Sequence, residues 1–296
     1  MIYTLTFNPA IDYVMKVDNL KNGETNRSKC EQIYFGGKGI NVSFVLSELG
    51  VQSVALGFIA GFTGEALNDA VTQSGINSDF IRLKSGVTRI NVKLKSDTET
   101  EINAQGPIIT QGDIDSLYKK LEKLNAGDVL VLAGSVPNSL PSDIYEKIIE
   151  KLQGKNIKFV VDATCKLLLN VLKFNPYLVK PNKSELEEIA GRELNDNESI
   201  ISEARKLKKS GAKNVLVSLG ADGAILVDEN DNVHIKFALG GKPVNTVGAG
   251  DSMVAGFIAY CDEGYEKALQ MSLACGGATA TSEGLAKKDD ILKLLN

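Results

Sequence analysis

The sequence predicts an α/β protein: a mostly parallel sheet covered by helices on both faces, in three layers, with a small second sheet beside it. Three observations carry this. From Asp128 onward, short apolar strands alternate with helical stretches, the order that builds parallel sheets. Two glycine-rich turns, one near each end of the chain, run directly into helices. Between them the alternation breaks, and residues 89–103 follow a hairpin pattern that a parallel sheet does not use.

Taken in order, Met1 to Phe7 reads as a first strand and lacks the basic start and long apolar run of a secretion signal. Residues 11–18 alternate, which makes a second strand with Asp12 on the face opposite Tyr13 and Met15. There it is either a solvated edge charge or a group that bonds a polar ligand. Gln32 to Phe35 is a short strand that enters Gly36-Gly37-Lys38-Gly39-Ile40-Asn41 and then an amphipathic helix. This turn is neither the Gly-x-Gly-x-x-Gly dinucleotide fingerprint nor a Walker loop, and Lys38 beside free amides favours an anion or a hydroxyl-rich ligand over a bare turn.

A strand over Val54 to Phe58 and a helix over Thr63 to Ser74 repeat the β-then-α order. Arg89 to Lys95 and Thr100 to Asn103 alternate around a turn at Ser96 to Glu99. With residues 11–18 and 28–35 they form the accessory sheet, which would present Asp12, Arg27, Arg89 and Asn103 as a lid and a dimer surface. Strands then follow at Asp128 to Ala133, Ile157 to Val161 and Tyr177 to Lys180, separated by helices near Ser142 to Leu152 and Thr164 to Val171. Ligands collect at the carboxyl ends of such strands, here Gly134-Ser135, Asp162 and Lys180-Pro181-Asn182. Asn182 and Glu185 are three apart, the spacing of an ordinary capping box and equally of two groups sharing a hydrated magnesium ion. Asn214 to Leu219, Gly220-Ala221-Asp222-Gly223 and Ala224 to Val227 read as a tight hairpin, and Ala268 to Thr281 as a helix rich in small residues.

The stretch Gly248-Ala249-Gly250-Asp251 opens a helix whose apolar residues Val254, Phe257, Ile258 and Cys261 fall at helical spacing. Its free amides and positive dipole suit a phosphate. Asp251 is then a cap for the next amides or a base beside a phosphoryl group, and the stretch alone leaves both open.

Composition narrows the function classes. The 296 residues are 43% apolar, carry a net charge of −4 and contain no basic run, which excludes a nucleic-acid or polybasic membrane surface. Four unpaired cysteines, Cys30, Cys165, Cys261 and Cys275, fit reduced thiols and a cytoplasmic location. His234 is the single histidine, which leaves no multi-histidine metal site, and it lies in a segment, Val233 to Phe237, that alternates like a strand, which argues against a Ser-His-Asp triad; a general base is therefore expected to be a carboxylate.

The ordered set Asp12, Gly36-Gly37-Lys38-Gly39-x-Asn41, Gly134-Ser135-x-Pro137, Lys180-Pro181-Asn182-x-x-Glu185, Ser218-x-Gly220-x-Asp222-Gly223 and Gly248-Ala249-Gly250-Asp251 resembles the ribokinase-like sugar kinases of the phosphofructokinase B family. The likeness covers essentially the whole chain and implies one ribokinase-like domain over 1–296 with a β-sheet lid. It implies Asp251 as base, with Gly248, Ala249 and Gly250 stabilising the transferring phosphoryl group. Lys180, Asn182, Ser218, Gly220, Asp222 and Gly223 would hold ATP, and Glu185 would hold Mg2+ through water. Asp12, Gly37 and Asn41 would hold sugar hydroxyls, while Lys38, Arg89, Arg27 and Asn103 would serve a phosphorylated ketohexose. Thr100 to Pro107 points to the branch that phosphorylates the 6-hydroxyl of fructose 1-phosphate, giving fructose 1,6-bisphosphate and ADP. Tagatose 6-phosphate is the alternative acceptor, and a non-catalytic sugar- or nucleotide-sensing module the alternative of another class. A homodimer through the lid strands belongs to the resemblance, and a monovalent cation such as K+ near Asn245 to Val247 is left open.

Overall fold

The computed structural model describes residues 1–295. Among them the strands are β1 (Ile2–Thr6), β2 (Ala10–Lys16), β3 (Cys30–Gly36), β4 (Ser53–Ile59), β5 (Asn77–Ser78), β6 (Ile81–Arg82), β7 (Arg89–Lys95), β8 (Glu99–Ile102), β9 (Val129–Ala133), β10 (Lys158–Asp162), β11 (Leu178–Val179), β12 (Asn214–Ser218), β13 (Ala224–Val227) and β14 (Val233–Lys236). The helices are α1 (Lys38–Glu48), α2 (Gly61–Gln73), α3 (Gln111–Leu121), α4 (Ile144–Lys151), α5 (Cys165–Val171), α6 (Lys183–Ala190), α7 (Asn197–Lys209), α8 (Ala249–Tyr260), α9 (Tyr265–Ala280) and α10 (Lys288–Lys293).

The large sheet runs β14-β13-β12-β11-β10-β9-β1-β4-β5, with β6 also paired to β4, and it is parallel from β12 through β5. Strands buried on both faces divide their side chains between two apolar layers. In β9, Leu130 and Leu132 face the layer built with α3, α4, α5 and α7, whereas Val131 and Ala133 face the layer of α1, α8 and α9. The antiparallel pairs β12-β13 and β13-β14 close one edge. No helix among the described residues is long and apolar enough to cross a membrane.

The small sheet runs β3-β2-β7-β8. β2 is therefore an inner strand, and Asp12 is not the edge charge that alternation alone allowed. Asp12 pairs in register with Tyr34 on β3 and Asn91 on β7. Three helices, α3, α7 and α10, have no counterpart in the sequence pattern read above; α3 and α7 start at capping boxes, Thr110 with Asp113 and Asp196 with Ser199. The short strands β5 and β6, two residues each, carry no period that a sequence can display.

Candidate active site

The N-termini of α1, α6 and α8 border one cavity of about 370 Å³ at the carboxyl ends of the parallel strands. α1 starts at Gly37, whose φ of 130° and closeness to Thr6 exclude a side chain: a Cβ there would sit 2.7 Å from Thr6 Cγ2. α8 starts at Gly248 in the left-handed region. The structure brings Asp12, Gly37, Lys38, Asn41, Arg89, Lys180, Asn182, Glu185, Ser218, Gly248, Gly250 and Asp251 to this cavity, together with Asn91 and Asp162.

Asp251 is 5% exposed and does not cap its helix: it makes no side-chain bond to the helix amides. Its Oδ2 instead accepts from Asn41 Nδ2 at 2.8 Å, across 210 positions of sequence. Burial pushes its carboxyl up to about 6, helped by the charge of Asp162 and opposed by Lys38, Asn41 and Lys180. The amides of Gly250 and Asp251 have no acceptor within the described residues, but the Ala249 amide donates to Thr246 O at 3.2 Å. The expectation for Ala249 is corrected accordingly, because its N–H is already used.

Asp162, at the end of β10, is 1% exposed. Its Oδ1 accepts from Lys38 Nζ at 3.2 Å and lies 3.6 Å from Lys180 Nζ, while Oδ2 has no partner. Burial alone would raise this carboxyl, but the ammonium groups of Lys180 and Lys38 outweigh it and hold the group below its ordinary range. Lys38 is shifted up: burial works against its charge, and Asp162 and Asp251 more than offset that. A Cβ at position 250 would stand 3.0 Å from Lys180 Nζ, so glycine there lets an ammonium reach the helix start.

Asn182 and Glu185 form the reciprocal capping box at the start of α6, each bond 2.8 Å. That leaves Glu185 Oε1 unused at the cavity. Among the described residues no cluster of three or more metal-ligating side chains exists, so a divalent ion here would rely on water and phosphate oxygens, the coordination that Mg2+ favours. One spare carboxylate oxygen fits such an ion. Arg89 donates through Nε to Asn8 O at 3.2 Å, keeping its terminal nitrogens for an anion. Burial lowers its pKa, with Asp12 acting in the opposite sense.

Several expected residues lie elsewhere. Arg27 is exposed in the loop between β2 and β3 and does not reach the cavity. Asn103 follows β8, the outer strand of the small sheet, and is likewise exposed. Gly220, Asp222 and Gly223 form the β12-β13 turn outside the 370 Å³ cavity, which only Ser218 of that stretch lines. Asn91 and Lys93 were missed, because in the sequence they read simply as polar positions of an alternating strand. Asp162 was located at a strand end but given no partner.

The model of the pfkB carbohydrate kinases matches residues 5–291. This chain belongs to that family. It is 43% identical to the 1-phosphofructokinase of Bacillus subtilis over 100% of this chain and 97% of that one. It is 36% identical to the D-tagatose-1-phosphate kinase of Bacillus licheniformis over 99% and 96%. The phosphofructokinase-2 of Escherichia coli in complex with substrates and products superposes with a TM-score of 0.93 at 28% identity, covering 99% and 97%, and the same enzyme has been solved in complex with potassium. This member of the family is an ATP-dependent carbohydrate kinase with the ribokinase-like fold.

Proposed function

We propose that this kinase transfers the γ-phosphoryl of ATP to the 6-hydroxyl of fructose 1-phosphate, giving fructose 1,6-bisphosphate, in one domain that the small sheet covers as a lid. The observation that carries the mechanism is Asp251: a buried carboxylate, freed from capping, whose Oδ1 has no protein partner among ammonium groups and open amides. In that position it takes the proton of the attacking hydroxyl. The amides of Gly250 and Asp251 and the ammonium groups of Lys38 and Lys180 receive the charge of the moving phosphoryl group. Glu185 would hold Mg2+ through water, and the ion would supply positive charge to the phosphate oxygens. Ser218 and the turn at Gly220 to Gly223 serve the nucleotide, and Arg89 binds the phosphate ester of the sugar. The acceptor is named from the relatives, and the D-tagatose-1-phosphate kinase among them makes tagatose 1-phosphate the second acceptor to test. Potassium near Asn245 to Val247, a homodimer through the lid and a cytoplasmic setting belong to the same reading.

ADP release with fructose 1-phosphate, tagatose 1-phosphate, tagatose 6-phosphate, fructose 6-phosphate and free fructose tests it, with Asp251→Asn as control. Preference for fructose 1-phosphate, falling about 10²- to 10⁴-fold in kcat in the variant, is the expected result. Preference for another ester would move the substrate, and undiminished turnover in the variant would remove Asp251 as base.

A further inference from the structure

Asn91 carries an inference that rests on the kinase reading and extends it to the sugar hydroxyls. It lies on β7 in register with Asp12 on β2, is 6% exposed, and lines the cavity. Its Nδ2 donates to Asp12 Oδ1 at 2.8 Å. That bond sets the carboxamide's orientation: the nitrogen faces the carboxylate, so Oδ1 faces away from it. Oδ1 is buried and receives no donor from the protein. A buried carbonyl in that condition is costly, and a ligand that donates to it recovers the loss.

The neighbours define what that ligand group is. Asp12 Oδ2 lies 3.5 Å from Lys93 Nζ, which also reaches Glu101 Oε1 at 3.3 Å. Lys93 is 8% exposed, so its charge is spent on the two carboxylates rather than offered to the cavity. The wall formed by Asp12 and Asn91 is thus rich in acceptors, while Lys38, Arg89 and Lys180 supply cations elsewhere on the same cavity. Phosphate suits the cations and is repelled by the acceptor wall. Hydroxyls suit that wall.

We propose that Asn91 is a specificity-determining residue whose Oδ1 accepts a hydrogen bond from one ring hydroxyl of the sugar, beside a hydroxyl held by Asp12. The test compares wild type and Asn91→Leu on fructose 1-phosphate and its 3-deoxy and 4-deoxy analogues. One analogue should lose roughly 10- to 100-fold in kcat/KM with wild type and less than about threefold with the variant, since the missing hydroxyl no longer has a partner to lose. A merely structural role would lower all three substrates alike. Equal penalties in the two proteins, or no penalty for either analogue with wild type, overturn the assignment. If Asn91→Leu does not fold, Asn91→Ala carries the same comparison. Should the kinase reading itself fail, wild type turns over none of these esters. Calorimetric titration of free fructose against both proteins then decides the matter, with weaker binding by the variant supporting Asn91 and equal affinity overturning it.

Discussion

Asp251→Asn should remove turnover and at the same time stabilise the fold, by an amount that the site itself sets. The wild-type carboxyl is 5% exposed and its pKa stands at about 6 against an ordinary 3.8. At about 1.4 kcal/mol per unit, the ionised form therefore costs the fold about 3 kcal/mol at neutral pH. Because the folded pKa is raised, the native state holds more protons than the unfolded chain between about pH 4 and 6. Stability from this group is fully present below that window and is lost as pH rises through it. An asparagine carries no such proton, and its carboxamide oxygen can still accept from Asn41. Urea unfolding of both proteins should show the variant's advantage growing by about 2 kcal/mol between about pH 4.5 and 7.5. The melting temperature at the upper pH should rise by about 5 to 10 °C. The same ionisation predicts an acid limb of wild-type activity near pH 6. A variant less stable than wild type at pH 7.5, or an advantage that does not change with pH, would sink the account of Asp251 as a buried carboxylate held near neutrality by its surroundings.

Two further outcomes follow from the cavity and the lid. Arg89→Ala should raise the KM for the phosphosugar by roughly 10- to 100-fold and leave the KM for ATP within about twofold, as expected for loss of a charge-assisted bond to the ester; steady-state kinetics in both substrates checks this, and an unchanged sugar KM would mean that the ester is held elsewhere. On the outer face of the small sheet Ile33, Ile90 and Ile102 are 54%, 40% and 58% exposed, and each buried isoleucine contributes about 1.5–3 kcal/mol. Ile33→Glu with Ile102→Glu should therefore shift a dimer to monomer in sedimentation velocity, and an unchanged coefficient would move the interface off this face.

The large sheet was legible because its strands alternate with helices and are bounded by glycine turns, and the small sheet because residues 89–103 break that rhythm. The ends moved by one or two residues, as at β2, expected over 11–18 and found over Ala10–Lys16. The starts of α1 and α8 at the cavity were readable from Gly37 and Gly248. The pairings across the site were not. Nothing local to Asp162 announces that it gathers Lys38 from one helix and Lys180 from another strand end, because those contacts span 124 and 18 positions. Asn91 was hidden for the same reason, since its meaning comes from Asp12 across a parallel strand pair rather than from its own neighbours. Arg27 and Asn103 were expected from their place on the accessory strands together with the family likeness, and both are exposed away from the cavity.

The hydrogen bond from Asn41 to Asp251 joins two lengths of chain that carry different responsibilities. Asp12, Arg89 and Asn91, the groups assigned to the acceptor, all precede position 92, whereas Asp162, Lys180, Glu185 and the 248–251 turn all follow position 161. At the cavity α1 reaches across, through Lys38 and Asn41. A lineage built this way can change its diet without rewriting its chemistry: substitutions early in the gene retune which sugar is accepted, and the later stretch keeps its phosphoryl apparatus intact so long as one helix continues to fit both.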